Sequence, residues 1–307
     1  MKAGRAMKAG LATITATVGI GVAGSVQAVE INDIFLFGDS YTDTGAFVPL
    51  TNGSTAGAYL ASSFGIDLVT SKSTTPGTSG VNFAESGARV AQGPNAPSTQ
   101  PRSLTQQVAE FQAYVNAGAL SFNPSSTLFF LAGGLNDHAS PTGPIADATF
   151  QQVATLYGLG GRFFEIALLP SLIPAFADSA RNLNPLYQQI VPQLQALYAD
   201  ATIRLSNWGP YYDDILRNPQ AYGITNTTDQ CFNLQTGRPE PACTDPDQYF
   251  YYYIVHPSDR AHEIVGERLH AEVLAVPEPA PMLLLAAGLA AIAARRRRGL
   301  GAVHEAT

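Results

Sequence analysis

Positive charge is scarce in this sequence. Lys2, Lys8 and Lys72 are its only lysines, and seven of its 17 Lys+Arg residues, Lys2, Arg5, Lys8 and Arg295–Arg298, sit in two terminal stretches. Ten remain between them. Of the 24 acidic residues only Glu278 and Glu305 lie in the tail, so the central region carries a net charge of −12. Nucleic-acid binders present a basic patch, and none is available here. Strong attraction to anionic membrane surfaces is excluded for the same reason. Charged residues of both signs make up only 13% of the chain, while Gly, Pro, Ser, Thr and Asn are plentiful. That balance suits an extracellular protein with long loops. Cysteine is limited to Cys231 and Cys243. No Cys-x-x-Cys or clustered His pattern offers a metal site. There is no internal repeat. Gly133-Gly134 lacks the further glycines and the lysine of a phosphate loop. No cofactor is therefore expected.

The charge that exists marks the ends. Lys2, Arg5 and Lys8 precede an apolar, small-residue stretch over 11–24, and Ser25-Val26-Gln27-Ala28 follows. This is the layout of a secretory signal peptide, with cleavage expected after Ala28. At the other end, Pro277-Glu278-Pro279 leads into an apolar run over 280–294 and then Arg295–Arg298. The run is short for a membrane span, which needs about 20 residues, but flanking residues that snorkel can make it suffice. The arginines should stay cytoplasmic. These three parts in this order closely resemble the PEP-CTERM sorting signal. The resemblance implies an exosortase-type sorting enzyme as partner, transient anchoring in the membrane through the C-terminal helix, and export to the periplasm, cell surface or medium. The expected division is a signal peptide over 1–28, one domain over 29–275 and a sorting tail over 276–307. In an exported chain, Cys231 and Cys243 are expected to form a disulfide.

Between the ends, apolar runs alternate with helical spacing. Ile34–Phe37 is short, aromatic and β-favouring, and so are Val81–Ala84, Thr127–Ala132, Arg162–Leu169 and Ala201–Trp208. Helices are expected over Ala56–Phe64, after an N-cap at Ser103 with Leu104, Val108, Phe111 and Val115 on one face, over Ala148–Gly158, Pro185–Ala199, Pro210–Arg217 and Arg260–Leu274. The aromatic run Tyr249–Val255 reads as a further strand with core packing. Strands alternating with helices predict an α/β fold with a mainly parallel sheet.

Four polar residues stand at or beyond apolar runs: Ser40 after Ile34–Phe37, Gly87 after Val81–Ala84, Asn136 after Thr127–Ala132 and His256 after the aromatic run. The carboxyl ends of parallel strands share one edge, where ligands bind, so these four can converge. Ser40 can attack an acyl carbon, with His256 as its base and then as acid to the leaving alcohol. The backbone N–H groups of Ser40 and Gly87 and the side-chain amide of Asn136 can hold an oxyanion. Glycine at 87 leaves no Cβ in the path of substrate to that N–H. Asp39 is expected to order the turn. His138 is read as a loop residue, His262 as helix surface and Trp208 as core.

Gly38-Asp39-Ser40 with Asp43-Thr44-Gly45, then Asn82–Ala88, then Gly134-Leu135-Asn136-Asp137, then His256-Pro257-Ser258, resemble the blocks of the GDSL-type lipases and esterases, also called SGNH hydrolases, in that family's order. The resemblance implies a flavodoxin-like, three-layer αβα fold and hydrolysis of small-molecule or lipid esters. Two positions depart from the pattern. Tyr41 replaces the usual Leu, and Tyr253 stands where the family has the acid three residues before the His. A tyrosine supplies no carboxylate. Its hydroxyl or a backbone carbonyl is then left to accept from the imidazole. The alternative is an impaired, SGNH-type binding or biofilm-matrix protein.

Overall fold

Six short strands lie side by side, and four of the five connections between them carry a helix. The computed structural model describes residues 30–45, 50–72, 79–92, 99–138 and 142–275. The signal-peptide stretch and the sorting tail with its apolar run lie outside the described residues. Strands β1 (Asp33–Gly38), β2 (Val69–Thr70), β3 (Gly80–Asn82), β4 (Thr127–Ala132), β5 (Phe163–Ala167) and β6 (Thr202–Ser206) form one sheet in the order β2-β3-β1-β4-β5-β6. Every pairing in it is parallel. With the two-residue edge strand β2 set aside, the order is the flavodoxin-like 2-1-3-4-5.

Helices cover both faces, as a parallel sheet requires. One layer holds α1 (Ala56–Ser63), α5 (Trp208–Arg217) and α6 (Asp259–Leu274). The other holds α2 (Leu104–Asn116), α3 (Thr142–Gly158) and α4 (Ala177–Leu197). The start of α2 is built as its sequence predicts. Ser103 accepts from the Gln106 N–H, and the Gln106 side chain accepts from Ser103 N–H, a reciprocal capping box. Helix α4 begins eight residues before the expected Pro185, and both Pro185 and Pro192 lie inside it. Both prolines are exposed, as are Arg181 and Gln188 four residues before them, so water can satisfy the carbonyls that lose a partner.

Phe111 on α2 is the hub of an aromatic core over the sheet. Its ring meets Phe35 at 4.9 Å, Phe129 at 5.5 Å, Phe122 at 5.7 Å, Phe83 at 5.8 Å and Phe37 at 5.9 Å. Phe35 and Phe37 share a face because side chains alternate along a strand.

The aromatic run does not join the main sheet. Strand β7 (Asn226–Gln230), β10 (Tyr249–Tyr253) and β11 (His256–Pro257) form a second sheet, and β8 (Phe232–Asn233) pairs with β9 (Arg238–Pro239) in a hairpin. A Cys231–Cys243 disulfide closes that hairpin. Among the described residues no helix is long and apolar enough to cross a membrane.

Phe111→Ala should destabilise the domain by about 3–5 kcal/mol, since a large ring is lost from a site closed on all sides. Urea unfolding followed by fluorescence measures it.

Candidate active site

The strand order reverses at β1: β3 lies on one side and β4 on the other. Ligand crevices in α/β sheets open at this point. Gly38 ends β1 opposite Ala132, the last residue of β4, so Ser40 and Asn136 emerge from neighbouring strands. Buried Gln107 of α2 braces the turn. Its Oε1 accepts from Gly38 N–H at 2.9 Å and its Nε2 donates to the Gly38 carbonyl at 2.8 Å. Asp39 then orders the turn, its Oδ1 accepting from Tyr41 N–H at 3.1 Å.

Asp43 ties this loop to the next. Its Oδ2 accepts from both the N–H and the hydroxyl of Ser86, each at 2.8 Å, next to Gly87. Gly87 has φ +83°, a conformation that a side chain resists, and a Cβ there would meet Pro101 at 3.1 Å. Asn136 donates to the Ala88 carbonyl at 2.9 Å, which fixes its amide beside Gly87 and leaves its second N–H uncommitted to that bond. Gly87 and Asn136 thus meet through Ala88.

His256 arrives from the second sheet, not from the main sheet edge that the sequence pattern suggested. His256 nevertheless reaches Ser40. His256 Nε2 lies 2.9 Å from Ser40 Oγ. Its Nδ1 faces the backbone carbonyl of Tyr253 at 3.2 Å. With Nδ1–H donating to that carbonyl, Nε2 is left to accept from the Ser40 hydroxyl. The Tyr253 ring stacks parallel to the imidazole at 6.2 Å, so its hydroxyl is not what accepts. Burial lowers the His256 pKa below its usual value, and the Tyr253 carbonyl opposes that shift in part. The imidazole is therefore neutral, the form a base needs, at neutral pH.

Two residues whose role the sequence pattern concealed brace the chain on either side of this His. Tyr41 is fully buried, packs edge-to-face on Trp208 and Tyr212, and donates its hydroxyl to the carbonyl of Val255, one residue before His256. His262 is buried, contrary to its reading as helix surface. Its Nδ1 accepts from Tyr212 hydroxyl at 2.7 Å and Ala56 N–H at 3.2 Å, so its proton sits on Nε2. Burial, with a further contribution from His256, pushes its pKa down to about 3. The signal was present: 262 lies on the same helical stripe as the apolar 265 and 269. Among the described residues His138 meets the Leu135 carbonyl, at 3.5 Å, and Trp208 is core as expected. Asp259 is engaged by Tyr59 hydroxyl and Ser54 N–H, both at 2.7 Å, and Asp245 caps the turn at Asp247.

Ser40, His256 and His262 open into a cleft of about 270 Å³ whose other walls include Thr44, Leu50, Thr51 and Ser54. Gly87 and Asn136 are not among its walls. Among the described residues no group of His, Cys, Asp and Glu could hold a metal ion.

Comparison with known proteins shows the family of this chain. The family described as GDSL-like Lipase/Acylhydrolase matches residues 34–269, and the PEP-CTERM protein-sorting motif matches 275–298. A GDSL esterase/lipase of Arabidopsis thaliana is 24% identical over 78% of this chain and 81% of its own length. Acetylajmalan esterase 2 of Rauvolfia serpentina is 24% identical over 82% of this chain and 94% of its own. The thermolabile hemolysin of Vibrio parahaemolyticus is 22% identical over 80% and 64% respectively. Among solved structures, a lipolytic G-D-S-L family member from Veillonella parvula superposes with a TM-score of 0.45 at 15% identity, covering 77% of this chain and 94% of that one.

Beneath the turn, Asp39 and Asp137 are both buried, and each has one carboxyl oxygen, Oδ2 and Oδ1 respectively, without a hydrogen-bond partner. Burial pushes the Asp39 pKa from 3.8 up to about 7; the Tyr41 amide opposes it and the Asp137 charge adds to it. The folded state therefore binds this proton more tightly than the unfolded state does. Stability from this group falls as pH rises from about 4 through about 7, and its full cost is present above that window. Asp39→Asn removes the titration. Its stability relative to wild type should rise by on the order of 2 kcal/mol between pH 5 and pH 8, read from urea unfolding at each pH.

Proposed function

The chain belongs to the GDSL-like lipase/acylhydrolase family and is an ester hydrolase, and from that membership we propose that it cleaves acyl esters through Ser40 and His256. Ser40 Oγ attacks the acyl carbon as His256 Nε2 takes its proton. The tetrahedral oxyanion is held by the backbone N–H groups of Ser40 and Gly87 and by the Asn136 amide. His256 then protonates the leaving alkoxide. Water, activated by the same imidazole, releases the acid from the acyl-serine and restores the hydroxyl. The observation that carries this reading is the 2.9 Å contact between Ser40 Oγ and His256 Nε2, with the opposite ring nitrogen already committed to the Tyr253 carbonyl.

The cleft favours a short acyl group. Its threonine and serine walls suit an acetyl- or butyryl-sized chain better than a long lipid tail. The alcohol side is left open, which is compatible with a lipid, a simple ester or an acetylated polysaccharide.

The chain carries a PEP-CTERM motif, which implies export and sorting to the cell surface. We place its route as follows. A signal peptide over 1–28 directs export and is cleaved after Ala28. The apolar run over 280–294 anchors the chain in the membrane with Arg295–Arg298 inside. An exosortase-type enzyme then processes the tail and leaves the 29–275 domain outside.

Turnover of p-nitrophenyl acetate, butyrate and decanoate by the full chain tests the reaction. Ser40→Ala and His256→Ala should abolish turnover. Asn136→Ala should lower kcat by about 10²–10³, the usual loss for one oxyanion donor. Acetate or butyrate should be preferred over decanoate. Absence of turnover above Ser40→Ala across all three esters would sink the hydrolase reading and return the chain to a binding or matrix role.

A further inference from the structure

In place of the missing acid, His256 meets one end of a peptide group: the carbonyl of the 253–254 peptide. A neutral carbonyl is a weaker partner for a developing imidazolium than a carboxylate, since charge-assisted hydrogen bonds are roughly twice as strong. The other end of the same peptide is also occupied. Ile254 N–H donates to Gln230 Oε1 at 2.9 Å. Gln230 Nε2 in turn faces Glu240 Oε1 at 3.5 Å, which orients the amide with its oxygen toward Ile254. A continuous row results: Glu240 carboxylate, Gln230 amide, 253–254 peptide, His256 imidazole, Ser40 hydroxyl.

Resting on the Ser40–His256 reading above, we infer that Gln230 is a positioning residue that, with the 253–254 peptide, stands in for the absent triad carboxylate. Two physical effects do this. Accepting a hydrogen bond at the N–H end polarises a peptide and makes its carbonyl a better acceptor, because hydrogen bonds in a row strengthen one another. The second effect is geometric. Ile254 has φ +50°, and it is the one non-glycine residue with positive φ among those described. A β-branched residue resists that conformation, which is held only where its surroundings over-determine it. The Gln230 bond to Ile254 N–H is one such hold, and it fixes the plane from which the Tyr253 carbonyl meets Nδ1.

The hairpin around Gln230 is built to keep it there. Gln230 ends β7 and pairs with Tyr251 of β10. The next residue, Cys231, donates its N–H to the Tyr251 and Tyr252 carbonyls, and its own carbonyl accepts from Glu240 N–H at 2.7 Å. Its sulfur is bonded to Cys243. Both members of the Gln230–Glu240 contact are thus anchored to one disulfide-closed hairpin.

The test compares wild type, Gln230→Met and Gln230→Glu in the full chain. Methionine keeps the length and apolar stem but offers Ile254 N–H no amide oxygen; glutamate keeps the acceptor and is combined with Glu240→Gln, so that two carboxylates do not face each other across the present 3.5 Å contact. Gln230→Met should lower kcat for p-nitrophenyl butyrate about tenfold, the worth of roughly one hydrogen bond, with KM unchanged. Gln230→Glu with Glu240→Gln should recover most of the loss. Equal kcat in wild type and a folded Gln230→Met would overturn the inference, as would failure of the glutamate to rescue. Gln230→Ala, which adds no bulk at a half-exposed position, replaces the methionine variant if that fails to fold. A second readout is independent of turnover: ¹⁵N-histidine NMR, with His256 assigned by its loss in His256→Asn. Wild type should show one tautomer, protonated at Nδ1, and Gln230→Met a mixture. An unchanged tautomer in that variant refutes the positioning role even if wild type proves inactive, the outcome that would instead refute the hydrolase reading.

Discussion

The 2.9 Å contact between Ser40 and His256 joins two chain segments 216 residues apart, and much of the surrounding structure holds those segments together. Tyr41 reaches the Val255 carbonyl. Ser54 N–H and Tyr59 hydroxyl meet Asp259, the side chain of Asn52 accepts from Asp259 N–H, and His262 accepts from Ala56 N–H. Helix α1 packs on α6 behind them. Each of these bonds runs between residues 41–59 and 255–262. The parallel sheet provides a rigid edge, but the imidazole is aimed by this seam.

The seam also explains why a buried histidine is tolerated one and a half turns beyond the first. His262 is neutral, its Nδ1 has two donors, and Tyr41 and Tyr212 close around it. A buried polar group with partners costs little, and one without them costs several kcal/mol. Asp39 and Asp137 show the contrary case. Each keeps an unpartnered oxygen beneath the site, and their raised pKa values express that cost. The Ser40 turn thus stands over two carboxyl groups that resist ionisation, while Gln107 and Asp43 provide the satisfied polar contacts that hold its shape.

Much of this was legible in the residues. Strands such as Thr127–Ala132 are dense apolar runs that end at glycine, and Ser103 announces the start of its helix. Of the four residues at the ends of runs, Ser40 and His256 meet directly, and Asn136 bonds the residue after Gly87. What the pattern concealed depends on contacts between distant segments. Tyr249–Tyr253 has the composition of a main-sheet strand, yet it pairs with β7 and β11, and composition does not name a partner. The start of α4 was obscured because a proline reads as a helix beginning, although exposed prolines can sit inside one. Tyr253 looked like a lost acid because side chains are visible in a sequence and carbonyls are not. The role of Gln230 is invisible for the same reason: it acts on a peptide bond, through a strained Ile254 that no residue type advertises.

The seam between 41–59 and 255–262 has a consequence for the order of events in the life of the chain. Contacts of such wide sequence separation form late, after the loop between them has closed. Synthesis proceeds from the N-terminus, so the serine-bearing turn is made long before the imidazole exists, and the two cannot meet until nearly the last residue of the folded region has been added. A chain threading across a membrane in extended form keeps them apart for the same reason. The 2.9 Å contact between Ser40 and His256 is therefore among the last to form, made only after the segments on both sides of the seam exist and have folded together.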